Sequence, residues 1–137
     1  MMREASQLLE DEVAAGKVQL TLGDVAHVPY RDNTMDRIFH CNCYYFWPDM
    51  EHVCKELLRV LKPGAFMVTG LNLASLRVAD SRNFVTFDMW NPERYMDALR
   101  QVGFTEVEMK EEVCEESKQT FEAIFAYKPS TVEVTVE

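Results

Sequence analysis

The sequence predicts an α/β fold: a mostly parallel sheet flanked by helices and closed at its carboxyl end by an antiparallel strand pair. Three observations carry this. Helix-patterned and strand-patterned segments alternate along most of the chain. Residues 65–71 (AFMVTGL) form a nearly continuous apolar run, the pattern of a strand covered on both faces in a parallel sheet. Residues 104–109 and 121–127 then read as two successive strands with only an acidic connection between them.

Taken in order, Met2, Ala5, Leu8, Leu9 and Val13 recur at helical spacing, and Gly16 supplies the stop. Residues 18–22 (VQLTL) alternate apolar and polar like a strand and end at Gly23 and Asp24. Pro29, Asp32 and Asn33 mark a loop, after which residues 37–41 (RIFHC) form a second strand. Asp49 caps a helix through Met50, Val53, Leu57, Leu58 and Leu61, with Glu51 early and Arg59 and Lys62 late to suit the helix dipole. Pro63 and Gly64 are its stop. Residues 72–90 show no clean period and read as an irregular excursion with room for a short helix over 73–79. Asn91-Pro92-Glu93 is a helix start, and the apolar line Tyr95, Met96, Leu99, Val102 runs to Gly103. The connection over 111–118 is acidic and reads as solvated. After Pro129 valine alternates with Thr and Glu; an edge strand and a frayed end both fit, and the frayed end is the expectation for a terminus. The expected organisation is one domain over 1–128 and a tail over 129–137.

The totals restrict function. A chain of 137 residues, 47% hydrophobic, has the material for one real core. A net charge of -9 with no basic patch repels polyanions, so nucleic acid is not the expected partner. No run approaches the roughly 20 apolar residues of a membrane span, and the acidic opening lacks a signal-peptide core, which makes the cytoplasm the expected location. The four cysteines are then expected reduced.

Open α/β sheets bind ligands outside the carboxyl ends of their strands. Two segments fall there: 23–25 after the first strand and 41–45 after the second. The second belongs to HCNCYYFWPD (40–49), whose thiols and imidazole raise a metal reading. That reading needs about four converging ligands. Residues 41 and 43 of a strand share a face, but His40 points to the other and no CxxC knuckle is present. Small buried cysteines are the expectation, and no metal is assigned. Packing at the strand-to-helix junction accounts for at least two of Tyr44, Tyr45, Phe46 and Trp47.

On these residues the sequence resembles class I S-adenosylmethionine-dependent methyltransferases, in particular the ubiquinone-biosynthesis-like branch. GDVAHVPYRDNTMD (23–36) is similar to that family's GDA..LPF.D..FD pattern. RVLKPG (59–64) matches its RVLKPGG, with Ala65 in place of the last glycine, and NCYYFWPD (42–49) is similar to the segment between them. Gly103-Phe104 fits the family's last helix-to-strand turn. The resemblance covers residues 1–128 and implies a Rossmann-like sheet and methyl transfer from S-adenosylmethionine to a small-molecule acceptor. By resemblance, Asp24 accepts from the adenine amino group and the Val25 N–H reaches the ring. Cys41 and Asn42 lie beside the methionine moiety, with Tyr44 or Tyr45 facing methyl donor and acceptor; RVLKPG is structural. No catalytic residue is assigned, since a reactive sulfonium mainly needs alignment and exclusion of water. His40 and His52 are the candidate bases if the acceptor needs one.

The family pattern also contains a GxGxG turn between a strand and a helix, then a strand ending in an acidic residue. None of the five glycines here forms GxGxG. The expectation is a partial sheet lacking the N-terminal β-α-β, in which the strands over 18–22 and 37–41 pair directly or leave edges open to a protein partner. Binding of S-adenosylmethionine by this chain alone is expected to be weak or absent, and activity impaired. The alternative is a non-catalytic module that pairs through its exposed sheet edge.

Overall fold

A computed structural model describes residues 2–130 of the chain. Two short helices, α1 (Met2–Leu8) and α2 (Glu10–Ala14), open it and bury no residue. Strand β1 (Met35–Cys41) leads through a single 3-10 turn (Tyr44–Phe46) to α3 (Met50–Val60) and β2 (Leu61–Leu71). Then come α4 (Leu73–Ser81), α5 (Phe87–Trp90), α6 (Pro92–Val102), β3 (Thr105–Val113) and β4 (Thr120–Tyr127). The strands form one sheet in the order β1-β2-β4-β3, with β1 parallel to β2 and the remaining pairs antiparallel. The α/β class and the terminal antiparallel pair are therefore present. The acidic tail over 131–137 lies outside the described residues.

Local chemistry explains the helix starts. Asp49, extended, accepts the His52 N–H at 3.1 Å, Asn72 accepts that of Ser75 at 3.0 Å, and Asn91 accepts that of Glu93 at 3.0 Å with Pro92 behind it. α6 ends at Gly103, whose φ of 122° suits glycine. α3 and α6 pack on each other and on one sheet face. Val53, Leu57, Tyr95, Met96 and Leu99 there meet Met67, Leu71 and Ile124 in the core. Each fully buried apolar side chain contributes about 1.5–3 kcal/mol, which is why this layer holds the sheet.

Several expectations are corrected. Residues 18–22 form no strand, because alternation makes a pleated surface but supplies no neighbour. Of the two outcomes expected for β1, the open edge is the one present: its outer edge is unpaired among the described residues, with Phe39 72% exposed. α3 stops at Val60, before Pro63, and β2 runs through Pro63 and Gly64; the residue before a proline is pushed toward extended backbone, so the chain leaves the helix early. Coverage of β2 is uneven: Ala65, Met67, Thr69 and Leu71 are buried on one face, while on the other Gly70 is buried and Phe66 and Val68 are half-buried. Within 72–90 the short helix expected over 73–79 is present as α4, started by the Asn72 cap, and α5 is a second helix that was not expected. The acidic connection is shorter than expected because β3 continues to Val113 with its carboxylates exposed.

Candidate functional site

Of the two segments expected at the sheet's carboxyl edge, the first is held by α3 and the second by β2, α5 and α6. On the first, Asp24 Oδ1 accepts the Ala26 N–H at 2.9 Å and Asp24 O accepts that of His27 at 2.9 Å, a tight turn beginning at the carboxylate. The Val28 N–H is taken by Glu56 Oε2 at 2.9 Å. The Val25 N–H has no acceptor among the described residues, so carboxylate and free donor stand side by side. Val25 and Ala26 pack against the core. A cavity of about 460 Å³ lies beside the turn, lined by Gln19, Thr21, Asp24, Val25 and Tyr30 among others. His52 Nε2 lies 2.8 Å from Ala26 O; a carbonyl only accepts, so this nitrogen carries the proton and ties α3 to the turn.

On the second segment, the chain leaves β1 at Asn42 with φ 57°, and the Asn42 N–H donates to Gly70 O at 3.1 Å. A Cβ at Gly70 would stand 3.2 Å from Cys41 Cβ, so glycine here lets the lip lie close to β2. Cys41 and Asn42 are exposed and Tyr45 is half-buried. Tyr44 is fully buried, stacked on Tyr95 at 4.3 Å between centroids, with its hydroxyl donating to Trp90 O at 2.5 Å. It has no surface to offer an acceptor. Burial first, and Tyr45 second, push its hydroxyl well above the usual range. No hydrogen bond or ring contact joins the Asp24 turn to the Cys41–Tyr45 lip among the described residues.

Beneath the lip lies a polar network that the linear sequence did not reveal. His40 Nε2 is 3.0 Å from Tyr95 Oη and 2.9 Å from Thr69 Oγ1, the two hydroxyls are 2.7 Å apart, and Cys43 Sγ is 3.3 Å from His40 Nδ1. Burial holds the His40 imidazole down at about 4 and raises the Cys43 thiol. The Nδ1–H tautomer satisfies every group: one hydroxyl donates to the other, the second donates to Nε2, and Nδ1–H points at sulfur. The network fixes the end of β1 to β2 and α6 and engages both ring nitrogens of His40. The lone hydroxyl of Thr69 in an apolar run was the available signal.

The other unanticipated feature is on α3. Arg59 Nε and Nη2 donate to Glu56 at 2.8 and 3.0 Å, Nη1 to Tyr30 O and Asp32 Oδ1 at 2.9 and 2.8 Å, and Nη2 also to Val28 O at 3.0 Å. Hydrogen bonds from Arg59, with that of the Val28 N–H, hold the Glu56 carboxyl down at about 2. The i,i+3 acid–base pairing was visible in the sequence; its loop partners were not.

A family model described as a methyltransferase domain matches residues 1–69, half of the chain and both candidate segments. The chain belongs to this methyltransferase domain family. It is 30% identical over 103 residues to 2-methyl-6-phytyl-1,4-hydroquinone methyltransferase 1 of Oryza sativa subsp. japonica, covering 72% of this chain and 30% of the relative. The matches span 11–30% of the length of these curated relatives. Among solved structures, the N-methyltransferase NodS of Bradyrhizobium japonicum, in complex with S-adenosyl-L-homocysteine, superposes with a TM-score of 0.64 at 17% identity, over 94% of this chain and 63% of that one. The [4+2]-cyclase SpnF superposes at 0.67 and 15% identity, over 93% and 62%. These likenesses establish the Rossmann-like methyltransferase sheet; a cyclase among them shows that the fold alone does not fix the reaction.

Proposed function

We propose that this chain carries the cofactor-side crevice of an S-adenosylmethionine-dependent methyltransferase with a small-molecule acceptor. The observation that carries the reading is the Asp24–Val25 turn: a carboxylate with an oxygen to spare beside an N–H that meets no acceptor among the described residues, the acceptor-and-donor pair that an adenine edge requires. Asp24 accepts from the adenine amino group and the Val25 N–H donates to the ring. Cys41 and Asn42 border the methionine moiety, and Tyr45 faces the methyl and the acceptor. The cofactor supplies an activated methyl group; these residues bind, orient and exclude water. No base is assigned.

The isolated chain binds weakly, because no glycine turn brings its backbone against the cofactor. Titration of the 137-residue chain with S-adenosylhomocysteine tests this. Weak, saturable binding abolished by Asp24→Ala is expected. No binding, or binding indifferent to Asp24→Ala, would overturn the cofactor reading, and micromolar affinity would overturn its weakness.

The unpaired β1 edge with Phe39 exposed favours a second reading, a non-catalytic module that pairs with another protein through that edge. Light scattering across concentration, with Phe39→Lys as control, tests it. A monomer at every concentration that captures no relative counts against it.

A further inference from the structure

The RVLKPG segment carries a role that a helix end does not require. Arg59 has five guanidinium N–H groups, and the five contacts to Glu56, Val28 O, Tyr30 O and Asp32 use all of them. Glu56 in turn divides its carboxylate between Arg59 and the Val28 N–H. The side chains are 30% and 17% exposed, so the pair sits at the base of the loop rather than in open solvent. Val28 is thus gripped at both its N–H and its C=O, and Tyr30 and Asp32 are gripped beyond it. The turn that ends at His27 is joined directly to this anchored residue, and His52 holds Ala26 O from the next turn of α3.

We infer that Glu56 and Arg59 are positioning residues: by clasping residues 28–32 they set the orientation of the Asp24 carboxylate and the Val25 N–H, and so the affinity of the crevice for the adenine end of its cofactor. The inference rests on the reading of Asp24 and Val25 proposed above. It predicts sensitivity to geometry rather than charge. A lysine keeps the positive charge at position 59 but reaches one or two of the five acceptor contacts, and loses the planar fork. The loop then samples other arrangements. If the binding-competent one falls to about a tenth of the population, the apparent dissociation constant rises about tenfold.

The test compares the full chain, Arg59→Lys and Asn91→Ala. The last removes the α6 cap and destabilises the fold without touching the loop. Three quantities are read below the melting transition of all three proteins: amide hydrogen exchange at Ala26, His27 and Val28, affinity for S-adenosylhomocysteine, and thermal midpoint. The expected result is that Arg59→Lys accelerates exchange at these amides and weakens binding about tenfold, while Asn91→Ala lowers the midpoint and leaves both unchanged. Unchanged loop exchange in Arg59→Lys would overturn the clasp, as would an affinity loss that merely follows the midpoint in both variants. If the wild-type chain does not bind, the cofactor reading fails on its own account. Exchange then decides the clasp: protection in the wild type lost in Arg59→Lys supports it, and protection retained overturns it.

Discussion

Acidification should weaken this fold through His40 before the carboxylates protonate. The ordinary histidine value is 6.5, and burial holds this imidazole at about 4. Above 6.5 the folded and unfolded chains are both neutral at His40; below 4 both are protonated. Between these values the unfolded chain binds the proton and the folded one does not, so stability falls as pH drops through the window. The gap corresponds to about 3 kcal/mol at 1.36 kcal/mol per pH unit, of which about 2 kcal/mol is lost by pH 5. Urea unfolding at pH 7 and pH 5 of the wild type and His40→Gln isolates the effect: the wild type should lose about 2 kcal/mol more than the variant. NMR titration of the His40 ring provides the direct reading. A ring that titrates near 6.5, or parallel losses in the two proteins, would refute the buried neutral imidazole.

Other sites give independent expectations. Tyr44→Phe removes the donor to the buried Trp90 carbonyl and should cost about 1–3 kcal/mol in urea unfolding while leaving the fold intact by circular dichroism. Leu99→Ala, at a fully buried position between α6 and the sheet, should cost about 2–5 kcal/mol by the same assay; a cost below 1 kcal/mol would place Leu99 outside the core. Gly103→Ala combines a positive φ of 122° with a Cβ 3.2 Å from Leu58 Cδ2, and should lower the thermal midpoint where alanine at an ordinary loop position would not.

What was legible in the sequence was what short-range chemistry decides. Asp49 and Asn91-Pro92 are caps because their side chains answer amides two or three residues away, and Gly103 ends α6 because its φ suits glycine. Properties that depend on distant partners were not legible. VQLTL alternates like a strand, yet a strand exists only where another offers its hydrogen bonds. Tyr44 looked like a mouth residue until Tyr95 and Trp90 came to meet it from α6 and α5. His40 bonds to Thr69 and Tyr95, 29 and 55 residues on, and no local period announces that meeting. Arg59 looked like a dipole-compensating residue at the end of a helix; only the return of residues 28–32 to α3 turns it into an anchor.

The proposed cofactor site combines the Asp24–Val25 turn with the Cys41–Tyr45 lip, and amide chemical-shift mapping of the isotopically labelled chain with S-adenosylhomocysteine probes both at once, since it detects weak binding residue by residue. Saturable shifts are expected at Asp24, Val25, Cys41, Asn42 and Tyr45, with β3 and the connection to β4 unmoved. Shifts confined to another surface, or none at saturating ligand, would contradict it.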